Sequence, residues 1–405
     1  MNSDGPLADV KILDFAWVMA GPAGTRMLAD YGAQIVRVES PHRIDTARTL
    51  QPHQDSNFGA DSSGLFNNCN AGKLGVAIDL GNPCAREVVL DLVRWADVVT
   101  ESFSPRAMRK WGLDYDSLRR VRPDIIMLST CLFGQTGPLR QIAGFGNMAA
   151  AIAGFSNLAG WPDRAATGVF GAYTDYIAPR YTAIAILAAL EHRRRTGEGQ
   201  YIDQAQVESA IHFLTPAILE YSVNRHEPQR AGNTDRDMAP HGIYPAAGDD
   251  QWVAIVCRTD SQWRSLCDAM GAAAMALDPR FATMETRVAN RAQLDDVIGT
   301  WTATRGATEI EQTLQARGVP AYQVQNSAQA WRDPQFAHRG HFVEIEHQAL
   351  GRTTVEGPRA HLSRTPGRVR RAAPSLGRDN QYVMEKILGY SQERISELTI
   401  AGVFG

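Results

Sequence analysis

The sequence predicts an α/β protein: a large lobe on a Rossmann-like, mostly parallel sheet, plus a smaller α+β lobe. Three observations predict it. Short apolar runs alternate with helical stretches through the first half of the chain, the pattern of a parallel sheet covered by helices. The length of 405 residues exceeds a usual single core, so two lobes are expected. From Asn224 to Pro240 the composition turns polar, and a different pattern begins after it.

The first forty residues read as a β-α-β unit. Val10 to Phe15 is a buried strand, and Gly21-Pro22-Ala23-Gly24 is a turn entering a helix, with Pro near the first position. Thr25 to Tyr31 is helical, Gly32 caps it, and Ala33 to Val38 is the second strand. Glu87 to Ala96 reads as an amphipathic helix, Asp97 to Glu101 as a strand, Tyr115 to Arg120 as a helix and Asp124 to Thr130 as a strand. A long helix is expected over about Arg180 to Arg195, with basic residues in its last turn and Gly197 after it. Tyr201 to Gln204 reads as a strand and Val207 to Tyr221 as a helix. Gly242 to Val256 reads as a β-hairpin, with helices over Thr259 to Met270 and Ala289 to Thr302. The expected boundaries are a large lobe over 1–224, a small lobe over 225–330, and a segment over 331–405 that returns to the large lobe. That last segment reads as loop-rich, closing with a helix around Tyr382 to Leu388.

Composition excludes several classes. A net charge of -3 lacks the basic excess of a nucleic-acid binder. No stretch of about 18 uninterrupted apolar residues suggests a membrane span. The N-terminus shows no basic start before an apolar run, so no secretory signal is read there. The five cysteines are scattered, with no CxxC pair, which fits reduced thiols in a cytoplasm and no metal site. Lysine is scarce, with four (Lys11, Lys73, Lys110, Lys386) among 41 basic residues, so each is conspicuous.

Several segments, in their order, resemble the class III CoA-transferases, the family of formyl-CoA transferase, carnitine CoA-transferase and the α-methylacyl-CoA racemases. They are VKILDFAWVMAGPAGTRMLADYGAQIVRVESP, NNCNAGKLGVAIDL, ADVVTESFSPRAMRKWGLDYDSL, LSTCLFGQTGP, TDYIAPRYTAIAILAALEHRRRTGEGQYIDQAQVES, RDPQFAHRG and APSLG. The resemblance runs over nearly the whole chain. It implies CoA exchange between carboxylic acids with an acyl-CoA thioester as substrate, and no permanently bound cofactor. It also implies an interlocked dimer of ring-shaped chains, either a homodimer or a pair with a related subunit.

The family's catalytic aspartate stands just before the helix that runs into TGxGQ, and Asp175 occupies that place. By local sequence alone Asp175 also reads as a helix N-cap. The implied chemistry is a covalent relay in which the aspartate takes the acyl group and then CoA. No ATP is called for, and no GxxxxGK[ST] loop is present. Arg37, Lys73 and Lys110 fall where the resemblance implies basic contacts to CoA, with Arg26, Arg43 and Arg48 as weaker candidates. Each also reads as a solvated surface charge. Met19, Cys131 and Phe133 stand where formyl-CoA transferase has glutamine, lysine and tyrosine, so a different acyl pocket is expected, for a bulkier acid such as an aryl-succinate. The racemase histidine is replaced by Phe145, which cannot move a proton. Racemisation therefore stands behind transfer, with a supporting subunit of a heteromeric enzyme as the other alternative.

Other signals point elsewhere and are weak. Gly144 to Ala149 matches GxGxxA, with Asp163 beyond it, but no strand is read before it. No GxSxG serine motif appears. His241 reads as structural unless its segment folds over the site. Cys131 reads as a thiol at a strand end, without a base partner.

Overall fold

The computed structural model describes residues 5–54 and 58–404. Six strands form one parallel sheet: β1 (Lys11–Asp14), β2 (Gln34–Glu39), β3 (Leu74–Ala77), β4 (Val98–Glu101), β5 (Ile126–Cys131) and β6 (Tyr201–Ala205). Their order is β3-β2-β1-β4-β5-β6. Successive side chains of β1 show why the sheet is covered on both faces. Leu13 packs into a cluster with Val36, Val76, Leu92 and Val99, while Ile12 packs on the opposite side with Ile35, Val98, Ala183 and Ile186. Parallel strands buried on both faces carry consecutive apolar residues, as Ile12-Leu13, Ile35-Val36 and Val98-Val99 do here. Each fully buried Leu, Ile or Val contributes about 1.5–3 kcal/mol.

The chain divides into two compact units: Met1–Ser156 with Gly168–Glu227 and Pro334–Gly405, and Asn157–Thr167 with Pro228–Asp333. The second unit holds an antiparallel sheet of β7 (His241–Pro245), β8 (Trp252–Val256) and β9 (Ala321–Gln323). Its core gathers Trp263, Leu266, Leu294, Ile298, Ile310 and Leu314. His241 lies in this unit, with its ring bonded to the Asn233 carbonyl at 2.9 Å.

Three elements differ from the sequence expectation. The long helix runs over Tyr173–Thr196, starting well before Arg180 and carrying Pro179 inside it. Proline disfavours helix interiors because it lacks an N–H, so the sequence suggests a start just after it. Here Pro179 lies in the second turn, where it frees the carbonyl of Asp175 from the helical ladder. The Val207 to Tyr221 stretch is broken into Gln206–Ile211, a 3-10 turn and Thr215–Asn224. The C-terminal segment is more regular than expected. It holds the hairpin of β10 (Phe342–His347) and β11 (Gly351–Glu356), and a final helix over Gln392–Ile400. Among the described residues, no helix is long and apolar enough to cross a membrane.

Candidate active site

The strand order reverses between β1 and β4, and ligands of open α/β sheets bind beyond the strand ends at such a point. A cavity of about 380 Å³ opens there. Trp17, Val18 and Met19 wall it after β1, Ser102 and Phe103 after β4, and Cys131 and Leu132 at the end of β5. Asp175 and Gln206 line it as well. A second cavity, of about 390 Å³, adjoins it through Trp17, Arg43 and Phe103, and reaches Ser40, Asp79 and Trp111.

Asp175 stands in the first turn of its helix, where the N-cap is Ala172. It is therefore not the cap itself. Its side chain is only 8% exposed, and burial pushes its carboxyl up to about 6. The group therefore ionises at neutral pH while remaining poorly solvated, which suits a carboxylate nucleophile. The start of the Gly146–Ala153 helix lies against it. A methyl group on Gly146 would stand 2.7 Å from Asp175 Oδ1, so glycine leaves the room the carboxylate occupies. Thr174 Oγ1 donates to the Gly146 carbonyl at 3.1 Å and ties the two helix starts together. Helix N-termini favour negative charge, and here two of them converge beside one carboxylate.

Buried ions fix the segment Ala16 to Met19. Val18 holds a left-handed φ of 63°, a strained conformation for a β-branched residue. Its N–H donates to both Asp45 oxygens, at 3.0 and 3.1 Å. Arg37 ion-pairs Asp45 and donates to the Ala16 carbonyl at 2.6 Å. Asp14, at the end of β1, accepts from Lys73 Nζ at 2.8 Å, Thr25 Oγ1 at 2.8 Å, Thr100 Oγ1 at 2.9 Å and Ala16 N at 2.9 Å. Burial alone would raise the Asp14 carboxyl, but Lys73 and Arg37 hold it below the usual range.

The predicted residues separate into four groups. Asp175, Met19 and Cys131 share the first cavity. Burial, and then Glu101, push the Cys131 thiol up to about 11, so it stays protonated and is a poor nucleophile. Lys110 is exposed on the Ala107–Trp111 helix, whose two end residues line the second cavity. Phe133 lines a separate cavity with Asp203 and Val207.

Arg37 and Lys73 are fully buried and present no surface to either cavity. Lys73 places Nζ on Asp14, the Pro22 carbonyl and Asn70 Oδ1, at 2.8, 2.8 and 3.0 Å, which uses all three ammonium donors. They brace the site from within and do not sit as solvated surface charges. Arg26 and Arg48 are buried too, and Arg48 is held by Glu39. Arg43 is the exposed arginine of that set; it lies over the Trp17 ring and borders both cavities.

Val18, Asp45 and Gln206 escape a sequence reading, because their roles arise from distant partners. Gly146 left a visible sign in the GxGxxA match, but the loop before it replaces the strand that a dinucleotide site needs. Phe145 also lines the first cavity, 60% exposed, and offers no proton carrier there.

Comparison with known proteins fits this arrangement. The family model described as CoA-transferase family III matches residues 7–380. The chain is 34% identical to succinyl-CoA--D-citramalate CoA-transferase of Chloroflexus aurantiacus, over 97% of this chain and 96% of the relative. It is also 34% identical to succinate--glutarate CoA-transferase of Agrobacterium fabrum, over 95% of this chain and 96% of the relative. The crystal structure of a CAIB/BAIF family protein from Brucella suis superposes with a TM-score of 0.87 at 32% identity, covering 95% of this chain and all of that one. With sequence, fold and relatives in agreement over nearly its full length, the chain belongs to CoA-transferase family III and is an enzyme of that class.

Proposed function

We propose that the enzyme moves CoA from succinyl-CoA to a second carboxylic acid through Asp175. The observation that carries this is a largely buried carboxylate, free of any ion pair among the described residues, facing a cavity that continues into a second one. The succinyl donor follows from the relatives, whose names carry succinate or succinyl-CoA.

The Asp175 carboxylate attacks the thioester carbonyl. The C–S bond breaks, CoA leaves as thiolate, and a mixed anhydride remains. The thiolate attacks the aspartyl carbonyl of that anhydride, releasing succinate and leaving an aspartyl-CoA thioester. The carboxylate of the incoming acid attacks this thioester and expels the thiolate again. The thiolate then takes the new acyl group and restores Asp175. Each step trades one carboxyl derivative for another, so no net proton and no external energy source enters.

The neighbouring groups suit these roles. The converging helix starts stabilise negative charge that develops on the attacked carbonyl. The second cavity, with Trp17, Phe103 and Trp111 in edge contact, takes the CoA side. Arg43, and Lys110 on the helix that edges this cavity, provide charge for its phosphates. Arg43 and Arg140 line the acyl cavity, and their charge suits a second carboxylate on the acid.

The protein is proposed to work as a dimer with a copy of itself or a related chain. The Thr215–Asn224 helix has no buried residue, and Ile218, Leu219, Tyr221 and Val223 are each at least half exposed. Apolar helices left open in this way mark association surfaces.

Incubating the purified chain with succinyl-CoA and a panel of dicarboxylic, hydroxydicarboxylic and aryl-succinic acids tests the activity. New acyl-CoA of matching mass is expected from the wild type and not from Asp175→Ala. Equal turnover by both proteins would reject Asp175 as the nucleophile.

A further inference from the structure

Gln206 opens the helix that follows β6, and its backbone is held firmly. Val207 N donates to the Leu132 carbonyl at 3.1 Å. Gln204 accepts from Thr182 Oγ1 at 2.7 Å and donates to the Ala178 carbonyl at 3.0 Å. Thr182 and Ala178 both belong to the helix that carries Asp175. The Gln206 backbone is therefore locked to the nucleophile's own support.

Its side chain is treated differently. Gln206 is 8% exposed and lines the Asp175 cavity, yet its Oε1 is buried without a hydrogen-bond partner. Buried polar atoms are nearly always paired, and one left open at a ligand cavity points to a missing ligand group. An amide offers an acceptor at Oε1 and a donor at Nε2. A carboxylate supplies acceptors alone and would leave Oε1 unpaired. A hydroxyl supplies both, in the space of one atom. Gln206 lines only the Asp175 cavity and not its neighbour toward Ser40 and Asp79, so its place is beside the acyl group.

We infer that Gln206 is a specificity-determining residue of the acyl pocket, its amide selecting acids that carry a hydroxyl on the carbon chain. The inference rests on the CoA transfer proposed above and names the acceptor class. The hydroxyl donates to Oε1 and accepts from Nε2. The deoxy acid of equal length leaves the amide open.

The test uses the full-length wild type and Gln206→Met, which keeps the volume and removes the hydrogen bonds. Succinyl-CoA is the donor, and the acceptors are matched pairs: citramalate with methylsuccinate, and 2-hydroxyglutarate with glutarate. The wild type is expected to favour the hydroxy acid of each pair by about tenfold or more in kcat/KM, the discrimination one buried hydrogen bond gives. In the variant the ratio should fall toward one, with the loss concentrated in the KM of the hydroxy acid. A far-UV circular dichroism spectrum and thermal midpoint matching the wild type report that the variant is folded. A wild type without preference, or an equal loss on both members of each pair, as a pantetheine or packing contact would produce, overturns the inference. Failure of the wild type to transfer CoA to any acid would remove it together with the transferase proposal.

Discussion

Burial raises the Asp175 carboxyl, and burial has a cost in stability. A carboxyl whose folded pKa is raised favours the native state in its protonated form. That contribution is complete below the unfolded pKa and is lost as pH rises through about 6. At neutral pH the ionised group therefore destabilises the fold, by about 1–3 kcal/mol. Asp175→Asn should unfold at higher denaturant than the wild type at pH 7.5, and the gain should vanish near pH 4, while transfer falls on the order of a thousandfold or more. Equal denaturation midpoints at pH 7.5 would contradict the burial argument. In the wild type kcat/KM should rise with pH through a midpoint near 6 and then level off. A profile flat between about pH 5 and pH 8 would contradict it. The place of Asp175 near the start of the long helix was legible because its position relative to the TGxGQ turn is a matter of order along the chain. Its burial was not legible, since that depends on Gly146 and on the loop before it.

At the scale of elements, the site is a junction of segments held by buried ions. Asp45 holds Val18 in a left-handed conformation, and Arg37 balances its charge. Asp45→Asn removes that charge and leaves Arg37 under-compensated, so a loss of about 3–5 kcal/mol in unfolding free energy is expected by denaturant titration. A loss below about 1 kcal/mol, the range of exposed pairs, would show that the network is not needed. Gly146→Ala places a methyl 2.7 Å from Asp175 Oδ1 and should suppress transfer, whereas Gly168→Ala, with nothing within 4 Å, should leave it intact. Comparable activity in the two variants would count against tight packing of the helix start on Asp175. The strands and amphipathic helices were legible from apolar periodicity. Arg37 and Lys73 were visible as charges, but whether they face solvent or each other's partners is decided by strand neighbours such as Asp14 and Arg37, which lie side by side across β1 and β2. The early start of the Asp175 helix was hidden by Pro179, whose local preference is overridden by the packing of that helix on the sheet.

At the scale of the whole molecule, the parallel sheet was readable because both of its faces are buried and its strands are correspondingly apolar. The C-terminal hairpin was not, because its polar alternation resembles a loop and its support is distant: Glu356 N donates to Asn68 Oδ1 at 2.9 Å. The open apolar helix Thr215–Asn224 leads to an expectation about assembly. Light scattering should give at least twice the chain mass of 44.4 kDa, and Leu219→Asp with Val223→Asp should reduce it. A monomeric wild type at micromolar concentration would contradict the dimer.

The proposed transfer depends most on Asp175 carrying CoA as a thioester. The enzyme should be mixed with succinyl-CoA without acceptor, treated with borohydride, and its peptides mapped by mass spectrometry. Reduction should convert the Asp175 side chain, and no other carboxylate, to an alcohol, with the change absent when acyl-CoA is withheld. Active enzyme whose Asp175 peptide keeps its unmodified mass, or whose modification falls on another residue, would contradict the account.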